Sequence, residues 1–263
     1  FKEASDSGQL LGGQKISVVR ADSTCIDAAA ASAAAERLIT SDKVVGIMGA
    51  DCSGVTTAIA NNVAVPKGVT MISPSATSPA LSTINDNGYF FRTAPSDARQ
   101  GQVLAEVTME RGHTNVAVTF VNNDYGKGLS DSFIGAYKGL GGKVSAVVPH
   151  DTDKADYSAE VASLNASGAK ILAVLGYIDQ GGRQMIQTSI DSGAFDKFIL
   201  ADGMYGESLL KNVDGDLTGT FGTVPGTDSK GSERFKEMAK SAGIKTGGPY
   251  TGESYDAGAL LVL

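Results

Sequence analysis

Two stretches of this chain run from apolar residues into glycine and small hydroxyl residues, a pattern that suits an anion. The first is residues 43–60, KVVGIMGADCSGVTTAIA, and the second is residues 68–80, GVTMISPSATSPA. In each, the apolar run predicts a strand and the polar turn predicts the start of a helix. Unpaired backbone N–H groups and the helix dipole both favour negative charge at such a turn. Two of these edges on adjacent strands make a seat for a carboxylate or a phosphate. A nucleotide phosphate fits poorly. Gly49 and Gly54 have the spacing of a phosphate cradle, but Val55 stands where the lysine belongs. A nucleophile elbow is missing too, because Gly54 directly follows Ser53 and Asp51 lies two residues before it.

Other reactive groups are few. His113 precedes a predicted strand at 115–121 and so lies at its amino end, the wrong edge for an α/β site. His150 follows a predicted strand at 143–149 and reads as a surface residue before the polar loop 151–156. No His/Cys/Asp spacing resembles a zinc site. Residues 212–219, NVDGDLTG, lack the sixth-position glycine and the closing glutamate of a calcium loop, so a solvated turn is expected. No cofactor and no metal are called for, and no nucleophile–base pair assembles into an enzyme. Three residues do stand at carboxyl ends of successive predicted strands: Tyr125, Tyr177 and Asp202. Singly, the tyrosines read as helix-start packing and Asp202 as a turn or N-cap. Together they mark one working edge.

The elements that must position these groups alternate along the chain. Short Val- and Ile-rich runs predict strands at 15–20, 44–49, 69–73, 115–121, 143–149, 170–176, 197–201 and 219–224. Their continuous apolar character is that of strands buried on both faces of a parallel sheet. Helices are predicted at 24–40, 53–65, 97–111, 124–140, 157–167, 179–192 and 232–242. Several end at a glycine suited to a left-handed C-cap: Gly112, Gly168, Gly193 and Gly243. The fold class is therefore α/β, with doubly wound parallel sheets. Pro- and Gly-rich breaks at 92–101 and 223–232 suggest two crossings between lobes. The expected division is residues 1–94 plus 227–263 in one lobe and 95–226 in the other, joined by a hinge with a ligand cleft between them.

The 263 residues carry 42% hydrophobic and 19% charged side chains, the composition of a globular protein, and a formal net charge of −7 argues against a nucleic-acid partner. No apolar run approaches the roughly 18 residues of a membrane span. Cys25 and Cys52, the two cysteines, each follow a predicted strand. Neighbouring strands would bring them within disulfide reach, while two free thiols of a cytosolic chain fit the spacing equally well.

The ordered set of motifs resembles the periplasmic type I solute-binding proteins of ABC transporters, in particular the leucine/isoleucine/valine-binding group. The carrying residues are Asp22–Cys25 (DSTC), Cys52–Ser53, Ile72–Thr77 (ISPSAT), Phe91–Gly101 (FRTAPSDARQG), Asp124–Gly128 (DYGKG), residues 156–170 (DYSAEVASLNASGAK), Leu175–Tyr177 (LGY) and Ala201–Gly203 (ADG). The likeness runs the length of the chain in the family's order. It implies a disulfide between Cys25 and Cys52. It implies that Ser53, Ser75 through its backbone, and Thr77 hold a ligand α-carboxylate and help with its amine, and that Tyr125 and Tyr177 close from the second lobe. Asp202 would pair with the ammonium, and Tyr255 would line the back wall of the pocket or else belong to the core.

The implied function is capture of a small aliphatic amino acid for an ABC importer by a monomeric, extracytoplasmic protein. Its partners would be the transporter's membrane subunits, with a lipid tether if the protein is lipidated. The alternatives are a binder of aromatic carboxylates or short amides, and a sensory ligand-binding domain of the same fold. One departure stands out. Residues 1–13 look like the tail of the family's first helix and Leu263 falls inside a helix, so the family's first strand and C-terminal part are expected to be missing.

Overall fold

The computed structural model describes residues 1–226 and 229–263. The chain divides into two compact units. One comprises residues 1–77, 81–94 and 229–263, and the other residues 78–80 and 95–226. The second break expected from sequence, 223–232, includes residues 227 and 228, which lie outside the described residues.

The first unit starts with α1 (Lys2–Ser7), followed after a 3-10 turn at Leu10–Gly12 and a stretch without regular structure by α2 (Ala28–Thr40). It continues through β1 (Gly46–Met48), α3 (Ser53–Ile59), β2 (Thr70–Ser73) and β3 (Phe90–Arg92). The strands form a parallel sheet in the order β1-β2-β3. Asp27 caps α2, its carboxylate accepting from the amides of Ala29 and Ala30. The Ala-rich face of that helix packs closely on the sheet's neighbours, with Ala31 and Ala35 buried among Ile47, Val55, Ile59 and Met71. Small side chains permit that approach.

The strand predicted at 15–20 does not form. Those residues join no ladder, and their anchors are Lys15 Nζ and the amide of Ile16, which donate to the carbonyl and hydroxyl of Ser5. A strand exists only where a neighbour completes its hydrogen bonds, and among the described residues none does. Conversely, β3 forms where no strand is predicted, and only its last residue, Arg92, falls in the break at 92–101, because a three-residue run carries too little pattern to register.

The second unit holds α4 (Asp97–Glu110), β4 (Asn115–Val121), α5 (Asp124–Gly139), β5 (Lys143–His150), α6 (Ser158–Asn165), β6 (Leu172–Leu175), α7 (Arg183–Asp191), β7 (Phe198–Leu200), α8 (Glu207–Asn212) and β8 (Phe221–Gly222). All pairings are parallel, in the order β5-β4-β6-β7-β8. Alternate strand residues feed two cores. Val116, Val118, Ala173, Leu175 and Ile199 pack with α4 and α5, whereas Ala117, Leu172, Val174 and Phe198 pack with α6 and α7. This is the two-faced burial that the unbroken apolar runs predict. After β4 the chain steps outward to β5 and then returns to the other side of β4, so the order reverses between β4 and β6. Ligands of open α/β sheets bind outside the carboxyl ends at such a reversal.

The chain closes with α9 (Lys230–Ser241) and α10 (Thr251–Val262), both in the first unit, where α10 packs on β1 and β2. The glycines expected to end helices, Gly112, Gly168, Gly193 and Gly243, all take positive φ. No helix among the described residues is long and apolar enough to cross a membrane.

Candidate functional site

In the first unit the two hydroxyl-rich turns lie side by side because β1 and β2 pair. Ser73 Oγ donates to the Ala50 carbonyl at 2.6 Å and accepts from the amide of Ala76 at 3.0 Å. Ser75 Oγ donates to the Asp51 carbonyl at 2.9 Å, and Thr56 Oγ1 to the Ala50 carbonyl at 3.2 Å. These bonds tie the turn after β2 to the turn before α3. Ser53 opens α3 and is buried, as is Thr77 at the far end of the second turn. No side chain caps α3 at Cys52, so its first amides keep the polarity of an uncapped helix start. Arg92 at the end of β3 braces the second turn from behind, donating to the Ala76 carbonyl at 3.1 Å. Sequence reading passed over Ser73 and Arg92, whose roles depend on partners in other strands.

Cys25 and Cys52 form a disulfide with Cα atoms 5.1 Å apart. It ties the turn before α3 to the loop ahead of α2, even though no strand forms at 15–20. Tyr255, on α10, is not a core residue. Its side chain is 42% exposed, its ring lies 5.4 Å from that of Phe235, and its hydroxyl donates to Glu3 Oε2 at 2.7 Å.

In the second unit Tyr125, Tyr177 and Asp202 come together. Tyr125 stands in the first turn of α5, which Asn123 caps by accepting from the amide of Gly126. Tyr177 follows β6 and Asp202 follows β7. The two rings stack with centroids 4.6 Å apart and planes inclined by 24°. Tyr125 Oη donates to Asp202 Oδ1 at 2.7 Å and accepts from the amide of Gly203 at 3.2 Å. Burial, reinforced by the charges of Asp202 and Asp97, pushes the Tyr125 phenol well above its ordinary value, so it remains a donor. Gly203 is required next to Asp202: a Cβ there would sit 2.4 Å from the Gly176 carbonyl and 2.9 Å from the Tyr177 ring.

Two further residues join this group from α4. Gln100 Nε2 donates to Asp202 Oδ1 at 2.9 Å and to the Thr223 carbonyl at 3.1 Å. Asp97, fully buried in the first turn of the same helix, acts on the Tyr125 phenol. Sequence reading missed both. The signal was present as helical spacing, since Asp97, Gln100, Gly101, Leu104 and Thr108 form one buried stripe.

The histidines stand apart. His113 stacks on Phe221 at 5.7 Å. His150 is not on the surface as expected but buried. Thr119 Oγ1 lies 2.8 Å from its Nδ1 and Tyr157 meets it edge-on. The β4–β5 pairing draws the end of β5 inside, under α6 and the turn after β6. Burial pushes its imidazole down to about 4, so it is neutral near pH 7.

Residues 1–262 match the family of periplasmic binding proteins, and the chain belongs to that family. Among curated relatives, it is 28% identical over 243 residues to a Leu/Ile/Val-binding protein homolog 1 of Brucella abortus strain 2308, covering 90% of this chain and 63% of that one. The chain thus spans about three-fifths of the length of the first curated relatives it matches. Among solved structures, a leucine binding protein from Thermotoga maritima MSB8 superposes with a TM-score of 0.84 at 23% identity, over 99% of this chain and 75% of that one. A solute binding protein of an ABC transporter from R. palustris, in complex with 4-hydroxybenzoate, gives 0.81 at 21% identity, over 98% and 72%. At these identities the superpositions establish the fold: type I, α/β, with parallel sheets.

Proposed function

We propose that the full-length protein is an extracytoplasmic solute-binding protein that captures a small aliphatic amino acid for an ABC importer, and that it binds its ligand without transforming it. The observation that carries this reading is Asp202, a buried acid at the carboxyl edge of the second sheet, held by Tyr125 and Gln100. Both of these donors are uncharged. A buried carboxylate of this kind suits a ligand ammonium, because charge-assisted hydrogen bonds are strong where water is excluded. The stitched hydroxyl turns of the first unit suit the ligand carboxylate through Ser53, Ser75 and Thr77. A ligand that engages both groups favours the closed state of a hinge, which the transporter's membrane subunits would recognise. The Cys25–Cys52 disulfide fits an oxidising, extracytoplasmic compartment.

The stacked pair Tyr125–Tyr177 supports a second reading, an aromatic carboxylate as ligand, and the solved relative with 4-hydroxybenzoate shows that the fold admits one. One experiment separates the two. A thermal-shift screen of the full-length protein against amino acids and aromatic acids should show stabilisation of about 2.7 kcal/mol at a hundredfold excess over Kd. Leucine, isoleucine or valine should give the largest shift, and Asp202→Asn should remove it. A shift with 4-hydroxybenzoate and none with amino acids overturns the zwitterion reading.

A further inference from the structure

We propose that Gln100 is a positioning residue of the Asp202 group, its amide fixing that carboxylate in the orientation that receives a ligand ammonium. The proposal rests on the reading in which Asp202 holds the ammonium. Gln100 lies on the buried stripe of α4, one turn beyond Asp97, and is itself buried. Its NH2 end must face Asp202 Oδ1 and the Thr223 carbonyl, since both are acceptors only. One planar amide therefore bridges the turn after β7 and the end of β8. Tyr125 Oη reaches the same Oδ1 from α5. Two donors on a single oxygen, arriving from different helices, set the plane of the carboxylate and hence the direction of its other oxygen.

A purely structural role does not account for this side chain. Gln100 Oε1 is buried without a hydrogen-bond partner. An unsatisfied buried acceptor is costly, and an apolar residue of the same length would avoid that cost. The amide is explained by what its two N–H groups hold.

The test is calorimetric titration of leucine into the full-length wild-type protein, Gln100→Met, Gln100→Glu and Asp202→Asn, over roughly pH 5 to 8. Each variant's thermal unfolding is recorded alongside. Methionine keeps the length and apolar stem but donates nothing, so leucine should bind about tenfold or more weakly than to wild type. Asp97, Tyr125 and Tyr177, the other titratable groups around the site, are common to all the proteins compared.

Glutamate donates only when protonated, so leucine affinity of Gln100→Glu should recover toward acid. It also serves if the methionine variant does not fold. Leucine affinity within twofold of wild type in Gln100→Met, or affinity that rises with pH in Gln100→Glu, overturns the positioning role while loss of binding in Asp202→Asn keeps the ammonium reading. Unchanged binding in Asp202→Asn, or a wild-type protein that binds 4-hydroxybenzoate and not leucine, overturns that reading and the proposal with it.

Discussion

Tyr125 shows how much one side chain can join. Its ring stacks on Tyr177, its oxygen donates to Asp202 and accepts from Gly203, and burial keeps its proton in place. Tyr125→Phe keeps the stack and deletes the oxygen. It should cost about 1–3 kcal/mol of unfolding free energy, read from denaturant midpoints, because Asp202 and the Gly203 amide each lose a partner. His150 makes a pH-dependent contribution of its own. Its buried imidazole titrates near 4, against 6.5 when exposed, so the unfolded chain binds the extra proton between those values. Stability is full above about pH 6.5 and falls as pH drops toward 4, by up to about 3 kcal/mol. His150→Gln should flatten that part of the profile of urea midpoint against pH, whatever it does to stability at neutrality.

Among the elements, α4 and α5 pack closely at Gly101. A Cβ at Gly101 would stand 2.6 Å from the Phe133 amide nitrogen and 2.7 Å from Ser132 Cβ, and the backbone cannot yield as a side chain would. Gly101→Ala should destabilise the protein by about 1–3 kcal/mol through overpacking. It should also weaken ligand binding, since α4 carries Gln100. Gly135 on α5 is the control, exposed with nothing within 4 Å of its added Cβ. Gly135→Ala should raise stability by about 0.5–1 kcal/mol through helix propensity alone, with affinity unchanged. Equal effects of the two substitutions on denaturant midpoints would show that the close approach is absent.

For the whole chain, the disulfide and the net charge each lead to a measurement. Cys25 and Cys52 are 27 positions apart, and a crosslink of that span stabilises by about 3.5 kcal/mol in the chain-entropy view. Reductant should lower the urea midpoint accordingly, and Cys25→Ser with Cys52→Ser should abolish the response. The net charge of −7 repels anions at a distance but exerts no net long-range pull on a neutral zwitterion. Association of leucine should change less than about twofold between roughly 0.05 and 0.5 M salt, measured by stopped flow. Association of 4-hydroxybenzoate should quicken as salt rises, because screening relieves repulsion between the anion and an acidic protein.

The alternation of strands and helices, the glycine C-caps and the edge carrying Tyr125, Tyr177 and Asp202 were legible from residue types and spacing. Each rests on local rules: an apolar run buried on both faces, a left-handed glycine, a turn at a strand's carboxyl end. The ladder partners were not legible. The run at 15–20 has the pattern of a strand but no neighbour to pair with, whereas the brief run at Phe90–Arg92 pairs with β2. The burial of His150 depends on where β5 lands beside β4, which its own residues do not specify. Gln100 is the sharpest case. Its place on a buried helical stripe is a matter of period, but its two acceptors lie 102 and 123 positions away in sequence. Hydrogen bonds across such separations form only once the sheet order has been set. The amino-acid sequence thus settles which residues line the carboxyl edges, and the packed fold settles which of them hold one another in place.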